Sequence, residues 1–78
     1  MASVSDSVRA AIRAAFPAES FQNVCDELAA YYGQEAERVR LDIVKLAAGN
    51  PEKVAHLVQR AKRDYRDVIT WAEYSGRD

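Results

Sequence analysis

One cysteine, one histidine, two prolines and three glycines are all that this 78-residue chain contains of those types. It also has no apolar run near the ~18 residues a membrane-spanning helix needs. Each scarcity excludes something. A lone Cys25 cannot form an intramolecular disulfide, so a reducing, cytoplasmic setting is expected. Because Cys25 shares the apolar face of its predicted helix, it reads as a buried structural thiol rather than a reactive one. His56 has no second histidine, cysteine cluster or carboxylate pair at ligand spacing, so metal and triad chemistry lack their partners. By helical phase it points away from the neighbouring apolar stripe and is expected to be solvated. No segment alternates with period two, which removes strands, and there is no repeat, linker or low-complexity tract.

The charge balance is equally uninformative about a ligand. The formal net charge is -1, and no large segment departs from neutrality by more than two charges, whereas nucleic-acid binders usually carry a clear basic excess. Hydrophobic residues make up 49% of the chain and the remainder is rich in Ala, Glu, Arg and Asp, the composition of a folded helical protein rather than a disordered one. A chain of this length forms a single domain over 1–78 and buries only about 60 to 65% of its unfolded surface, so its stability is modest and self-association would help it. The stretch Ser3 to Phe16 has the amphipathic Ser and Arg content of a transit peptide. Asp6 interrupts it, no apolar h-region precedes Phe16-Pro17-Ala18, and Val8, Ile12 and Phe16 form the core face of an ordinary helix, so it reads as a helix of the mature protein.

Four helices are predicted. The first runs from Ser5 to Phe16, with Val8, Ala11, Ile12, Ala15 and Phe16 on one face, and Pro17 ends it. The second begins near Ser20, an N-cap residue, presents Phe21, Val24, Cys25, Leu28 and Tyr32, and stops at Gly33. Of the adjacent Tyr31 and Tyr32, phase makes Tyr32 the more core-like. The third, Gln34 to Ala48, is apolar on two arcs: Ala36, Val39, Ile43, Leu46 and Ala47 on one, Leu41, Val44 and Ala48 on the other. A helix apolar on two sides needs two neighbours. Either it sits centrally, between the last helix and the N-terminal pair, or its second face meets another chain; the central arrangement is preferred because the first two helices need a surface to cover.

Gly49-Asn50-Pro51-Glu52 stops one helix and starts the next, with Gly in the left-handed position, Asn as N-cap and Pro at the first helical position. The fourth helix then runs from Pro51 to Tyr74 on a stripe of Val54, Leu57, Val58, Ala61, Tyr65, Val68, Ile69 and Ala72. At about 36 Å it is long for this chain, and Lys62-Arg63-Asp64 is where it would kink, with Asp64 as a second cap. The apolar phase is continuous across that point, so one unbroken helix is expected.

Chemistry-bearing clusters are sparse. Asp64 and Asp67 share a helix flank and could hold a hard cation, but Arg60 and Arg63 stand at the i, i+4 distance and local ion pairing is the reading adopted. Arg60, Lys62, Arg63 and Arg66 beside Tyr65 could face phosphates, yet their angles spread them around the helix. Trp71 and Tyr74 share a flank with His56, Arg60, Asp64 and Asp67, and aromatics with Arg beside them are common interface anchors; the alternative is that Trp71 seals the core edge and Tyr74 covers a helix end.

Arg63-Asp64-Tyr65-Arg66-Asp67-Val68, followed by Trp71-Ala72-Glu73-Tyr74 and preceded by the Leu46 to Asn50 turn, resembles a group of small stand-alone bacterial proteins of uncharacterised function. The resemblance covers the C-terminal half. It implies a bacterial cytosolic setting, no activity and no catalytic residues.

The expected fold is all-α: a small four-helix domain with a C-terminal antiparallel helix hairpin and two N-terminal helices packed across it. The expected function is non-enzymatic binding of a protein partner or of itself, through Leu41, Val44, Arg60, Asp64, Asp67, Trp71 and Tyr74. No catalytic, cofactor-binding or metal-ligating residue is assigned, and no membrane partner is expected. The alternative is a small nucleic-acid-associated regulator that uses the basic part of the fourth helix.

Overall fold

A computed structural model describes residues 4–75. Helix α1 (Asp6–Ala15) starts at Ser5, whose hydroxyl accepts from the Val8 amide at 3.2 Å. That same hydroxyl donates to the Glu37 carboxylate at 2.6 Å, so one side chain both caps α1 and ties it to a later helix. The Phe16 amide closes the last turn onto the Ile12 carbonyl, and Pro17 ends the helix as the sequence implies. A short 3₁₀ turn (Ala18–Ser20) leads into α2 (Phe21–Ala29).

Helix α2 ends three residues earlier than expected, and that changes which tyrosine is buried. The Ala30 and Tyr31 amides donate to the Glu27 and Leu28 carbonyls, an i to i−3 tightening that advances the side-chain phase. Tyr31 therefore turns into the core at 4% exposure while Tyr32 stands 79% exposed, the reverse of the expected order. The Tyr31 hydroxyl then donates to the Gln34 carbonyl at 2.7 Å and closes the connection beneath it.

Helix α3 (Ala36–Ala47) is bracketed by two non-glycine residues in the left-handed region, Glu35 (φ 51) and Ala48 (φ 50). Gly49 follows at φ 86, so the left-handed position read at Gly49 is shared with Ala48. The Asn50 side chain accepts from the Glu52 amide at 3.0 Å, and Pro51 opens α4 (Pro51–Ser75) as predicted. Helix α3 is central: it packs most extensively against α4, α1 lies on α3, and α2 lies on α4 and α1. Val39, Ile43 and Ala47 are fully buried, and Val44, from the second arc, is buried as well at 5% exposure. Leu41 is half-buried against the same core. Both arcs of α3 are thus used within the chain. Glu37 near Ser5 and Gly49 against the Ala15 carbonyl place α1 parallel to α3, start beside start and end beside end.

The core formed by Val8, Ile12, Val24, Leu28, Val39, Ile43, Val54, Val58 and Val68 is almost wholly aliphatic, each such side chain contributing about 1.5 to 3 kcal/mol on burial. Cys25 sits at its edge, buried, and burial raises its thiol pKa. The described residues form helices and turns with no strand, arranged as an all-α domain built on the α3–α4 hairpin.

Helix α4 is not continuous. Asp64 has φ −156 and ψ 98, outside the helical region, and separates an arm over 51–63 from an arm over 65–75. A straight helix of this length would span about 37 Å, but the longest Cα extent is 30 Å. The Asp64 carboxylate caps the second arm by accepting from the Arg66 amide at 3.1 Å. The second arm bends back over the first and comes down on α3, where Glu73 meets Arg38 at 3.1 Å and the Ala72 carbonyl accepts from Lys45 Nζ at 3.1 Å. The expectation of one unbroken helix fails because one non-helical residue can redirect a helix while leaving the apolar spacing on either side unchanged.

Candidate interaction surface

The fold-back of α4 assembles a patch of exposed apolar surface. Leu46 of α3, Lys53, His56 and Leu57 of the first arm, and Trp71 of the second arm line an open cleft of about 450 Å³. Trp71 is 42% exposed. Its ring lies 5.6 Å from the Arg60 guanidinium carbon, within cation–π range, and Arg60 Nε donates to Asp67 Oδ2 at 3.1 Å. Residues 60 and 71 would stand about 16 Å apart along a straight helix. Their contact exists because Asp64 turns the chain.

Arg60, Asp67 and Trp71 are therefore brought together as a touching trio. Tyr74, one turn beyond Trp71, is 67% exposed on the same flank of the second arm. Asp64 stands apart at the elbow, bound by the Arg66 guanidinium at 3.1 Å; the Arg66 side chain, then its amide, hold the Asp64 carboxyl below the usual aspartate range. The pairs Arg60–Asp64 and Arg63–Asp67, expected from i, i+4 spacing, are replaced by Arg60–Asp67 and Asp64–Arg66. Val44 is in the core and presents no surface to a partner, and Leu41 is half-buried on α3.

Of the basic cluster, Arg60 and Arg66 are held in these ion pairs, while Lys62 and Arg63 are exposed at the elbow. Nearby, the Tyr65 hydroxyl donates to Gln34 Oε1 at 3.1 Å. His56 is exposed, as its phase implies, but it lines the cleft rather than facing open solvent alone. Among the described residues no group of three or more His, Cys, Asp or Glu is placed to hold a metal ion, and no helix is long and apolar enough to cross a membrane.

Sequence reasoning missed two kinds of residue. Leu46 and Leu57 were counted as core, whereas both are half-buried and floor the cleft. Arg40 drew no reading from the sequence, yet it is buried: its Nε donates to the Leu28 carbonyl at 3.0 Å and one of its terminal nitrogens to the Tyr31 carbonyl at 2.7 Å. It closes the C-terminus of α2, where the helix dipole and the Tyr31 carbonyl just beyond the last turn favour a cation. Its position on α3 between Val39 and Leu41 was the available signal. Compared with protein-family models, curated proteins and solved structures, the chain matches none.

Proposed function

We propose that the chain is a small, non-enzymatic protein-interaction module of the bacterial cytoplasm, and that it recognises its partner through the cleft beside Trp71. The observation that carries this reading is a large aromatic left 42% exposed next to an apolar floor of Leu46 and Leu57, with its orientation held by Arg60 and Asp67. A rigid amphipathic ring at the edge of an apolar recess is the usual form of an energetic anchor in protein recognition. Lys53 and His56 add polar groups at the rim.

Trp71 is the sole tryptophan, so the test has a built-in reporter. A partner recovered from the native cell by the wild-type chain, and lost from Trp71→Ala and Tyr74→Ala, should shift the Trp71 emission to shorter wavelength when added back. A partner retained by both variants, or no specific partner, would defeat the reading. The alternative, a nucleic-acid-associated regulator, rests on Lys62 and Arg63, the exposed cations of the elbow outside the described ion pairs. Salt-sensitive retention on heparin, removed by Lys62→Ala with Arg63→Ala, would favour it over protein recognition.

A further inference from the structure

We propose that this chain also exchanges the second arm of α4 with a second copy of itself, α4 straightening at Asp64 to give a domain-swapped dimer. Four observations converge on this. The break is a single residue wide, and no Gly or Pro occurs between Glu52 and Ser75, so nothing in the local sequence requires a bend. The stripe Val54, Leu57, Val58, Ala61, Tyr65, Val68, Ile69, Ala72 keeps one helical phase across Asp64, within about a third of the circumference at 100° per residue. A straight α4 therefore needs no change of face.

The third observation is the charge pairing. The i, i+4 pairs Arg60–Asp64 and Arg63–Asp67, written into the sequence, are unmade in the bent form and become available when α4 is straight. The fourth is that the contacts holding the second arm are made to groups outside that arm: Glu73 to Arg38 and the Ala72 carbonyl to Lys45 on α3, and Trp71 and Asp67 to Arg60 on the first arm. Each can be made identically to a neighbouring copy, as reciprocal exchange about a two-fold axis requires. What the exchange gives up is the Asp64 cap and its Arg66 pair; what it gains is the helical hydrogen bonding interrupted at the elbow. In the exchanged dimer the cleft is rebuilt with Leu46, Lys53 and Leu57 from one copy and Trp71 from the other.

Asp64→Ala separates the two forms, because it removes the cap from the bent chain and places a strong helix former in the straight one. Over two chains this should strengthen the dimerisation constant on the order of a hundredfold. Light scattering from micromolar to millimolar chain should show Asp64→Ala dimeric at concentrations where the wild type is monomeric, and an inserted Gly-Asn-Gly between Arg63 and Asp64 should abolish the dimer. Exchange is distinguished from side-by-side association by Arg38→Cys with Glu73→Cys in a Cys25→Ser background, treated with a short bismaleimide after dilution. An exchanged dimer gives covalently linked pairs of chains; a side-by-side dimer gives only links within one chain. If Asp64→Ala fails to fold by circular dichroism, the same cysteine pair in the wild-type elbow, refolded at millimolar concentration, decides by the same readout. A strictly monomeric Asp64→Ala at millimolar concentration, or links only within chains, overturns the proposal. Tyr74→Ala, which alters the recognition flank and none of the arm contacts named above, is expected to leave the linking pattern unchanged, so failure of partner recognition and failure of exchange are read separately.

Discussion

Replacing Arg40 by methionine should destabilise the domain more than any other substitution of a charged residue. The side chain is buried on α3 and donates to the Leu28 carbonyl at 3.0 Å and to the Tyr31 carbonyl at 3.1 and 2.7 Å. The Leu28 carbonyl lies in the last turn of α2 and also accepts from the Tyr31 amide, whereas the Tyr31 carbonyl lies two residues beyond the helix end, so Arg40 is a second donor to the first and the donor to the other. No carboxylate pairs with Arg40 among the described residues, so the interaction is one of charge with backbone dipoles rather than with another charge. A hydrogen bond to a charged group contributes about 1.5 to 3 kcal/mol, and an orphaned buried acceptor costs about 1 to 3 kcal/mol. Because the three bonds share one guanidinium and are not additive, Arg40→Met should cost about 3 kcal/mol. For a domain of this size that lowers the melting temperature by roughly 15 °C and removes a large share of a total on the order of 4 to 12 kcal/mol. Arg40→Lys keeps the charge but loses the planar fork, and should cost about half as much. Urea unfolding of the three chains, followed by circular dichroism, gives both differences. Salt should change them little, since no ion pair is broken. An Arg40→Met chain within about 0.5 kcal/mol of wild type, the range of an ordinary surface substitution, would refute the capping role.

The α3–α4 turn allows a paired test by urea midpoint. A Cβ at Gly49 would stand 2.9 Å from the Ala15 carbonyl oxygen with φ at +86°, so Gly49→Ala should cost about 1 to 3 kcal/mol. Ala48 is exposed and holds its Cβ at φ 50, and Ala48→Gly should stabilise by a few tenths to about 1 kcal/mol once the extra freedom of the unfolded glycine is counted. Asp42 gives a pH signature. Burial raises its pKa despite the opposing pull of Arg38 and Lys45, so its contribution to stability is present below the unfolded pKa and is lost as pH rises through the folded one. Asp42→Asn should therefore raise the melting temperature at pH 7, the effect being limited by solvent screening. The gain should vanish near pH 3, and a gain independent of pH would contradict the burial origin.

What the sequence made legible was local punctuation. Ser5, Pro17, Asn50 and Pro51 act at their own positions through caps and missing amides, and each does in the fold what its chemistry implies. The central place of α3 could also be read, since two apolar arcs require two neighbours. Tyr31 and Tyr32 exchanged roles because a tightened last turn shifts phase by about one residue, and nothing in the residue types of 27–31 announces it. Arg40 escaped notice because a charged residue is counted toward solvent until the carbonyls it meets are known. The elbow was half legible: Asp64 was the right residue, but a stripe in phase on both sides is compatible with either a straight or a folded helix. The cleft followed from that uncertainty. Leu46, Leu57 and Trp71 converge only when the second arm returns, so a reading by straight-helix phase assigned the leucines to the core and put Trp71 on a flank without them.

The return of the second arm of α4, which builds the Trp71 surface, is tested most directly by nuclear Overhauser effects in solution at micromolar concentration. The Trp71 indole and the Leu57 methyls line one cleft and should give cross-relaxation within a single chain, accompanied by an interruption of the helical amide pattern at Asp64. In a straight helix the two residues lie about 21 Å apart, beyond reach of the effect. An unbroken helical pattern from residue 60 to 70 with no Trp71–Leu57 contact would contradict the fold-back and the surface derived from it.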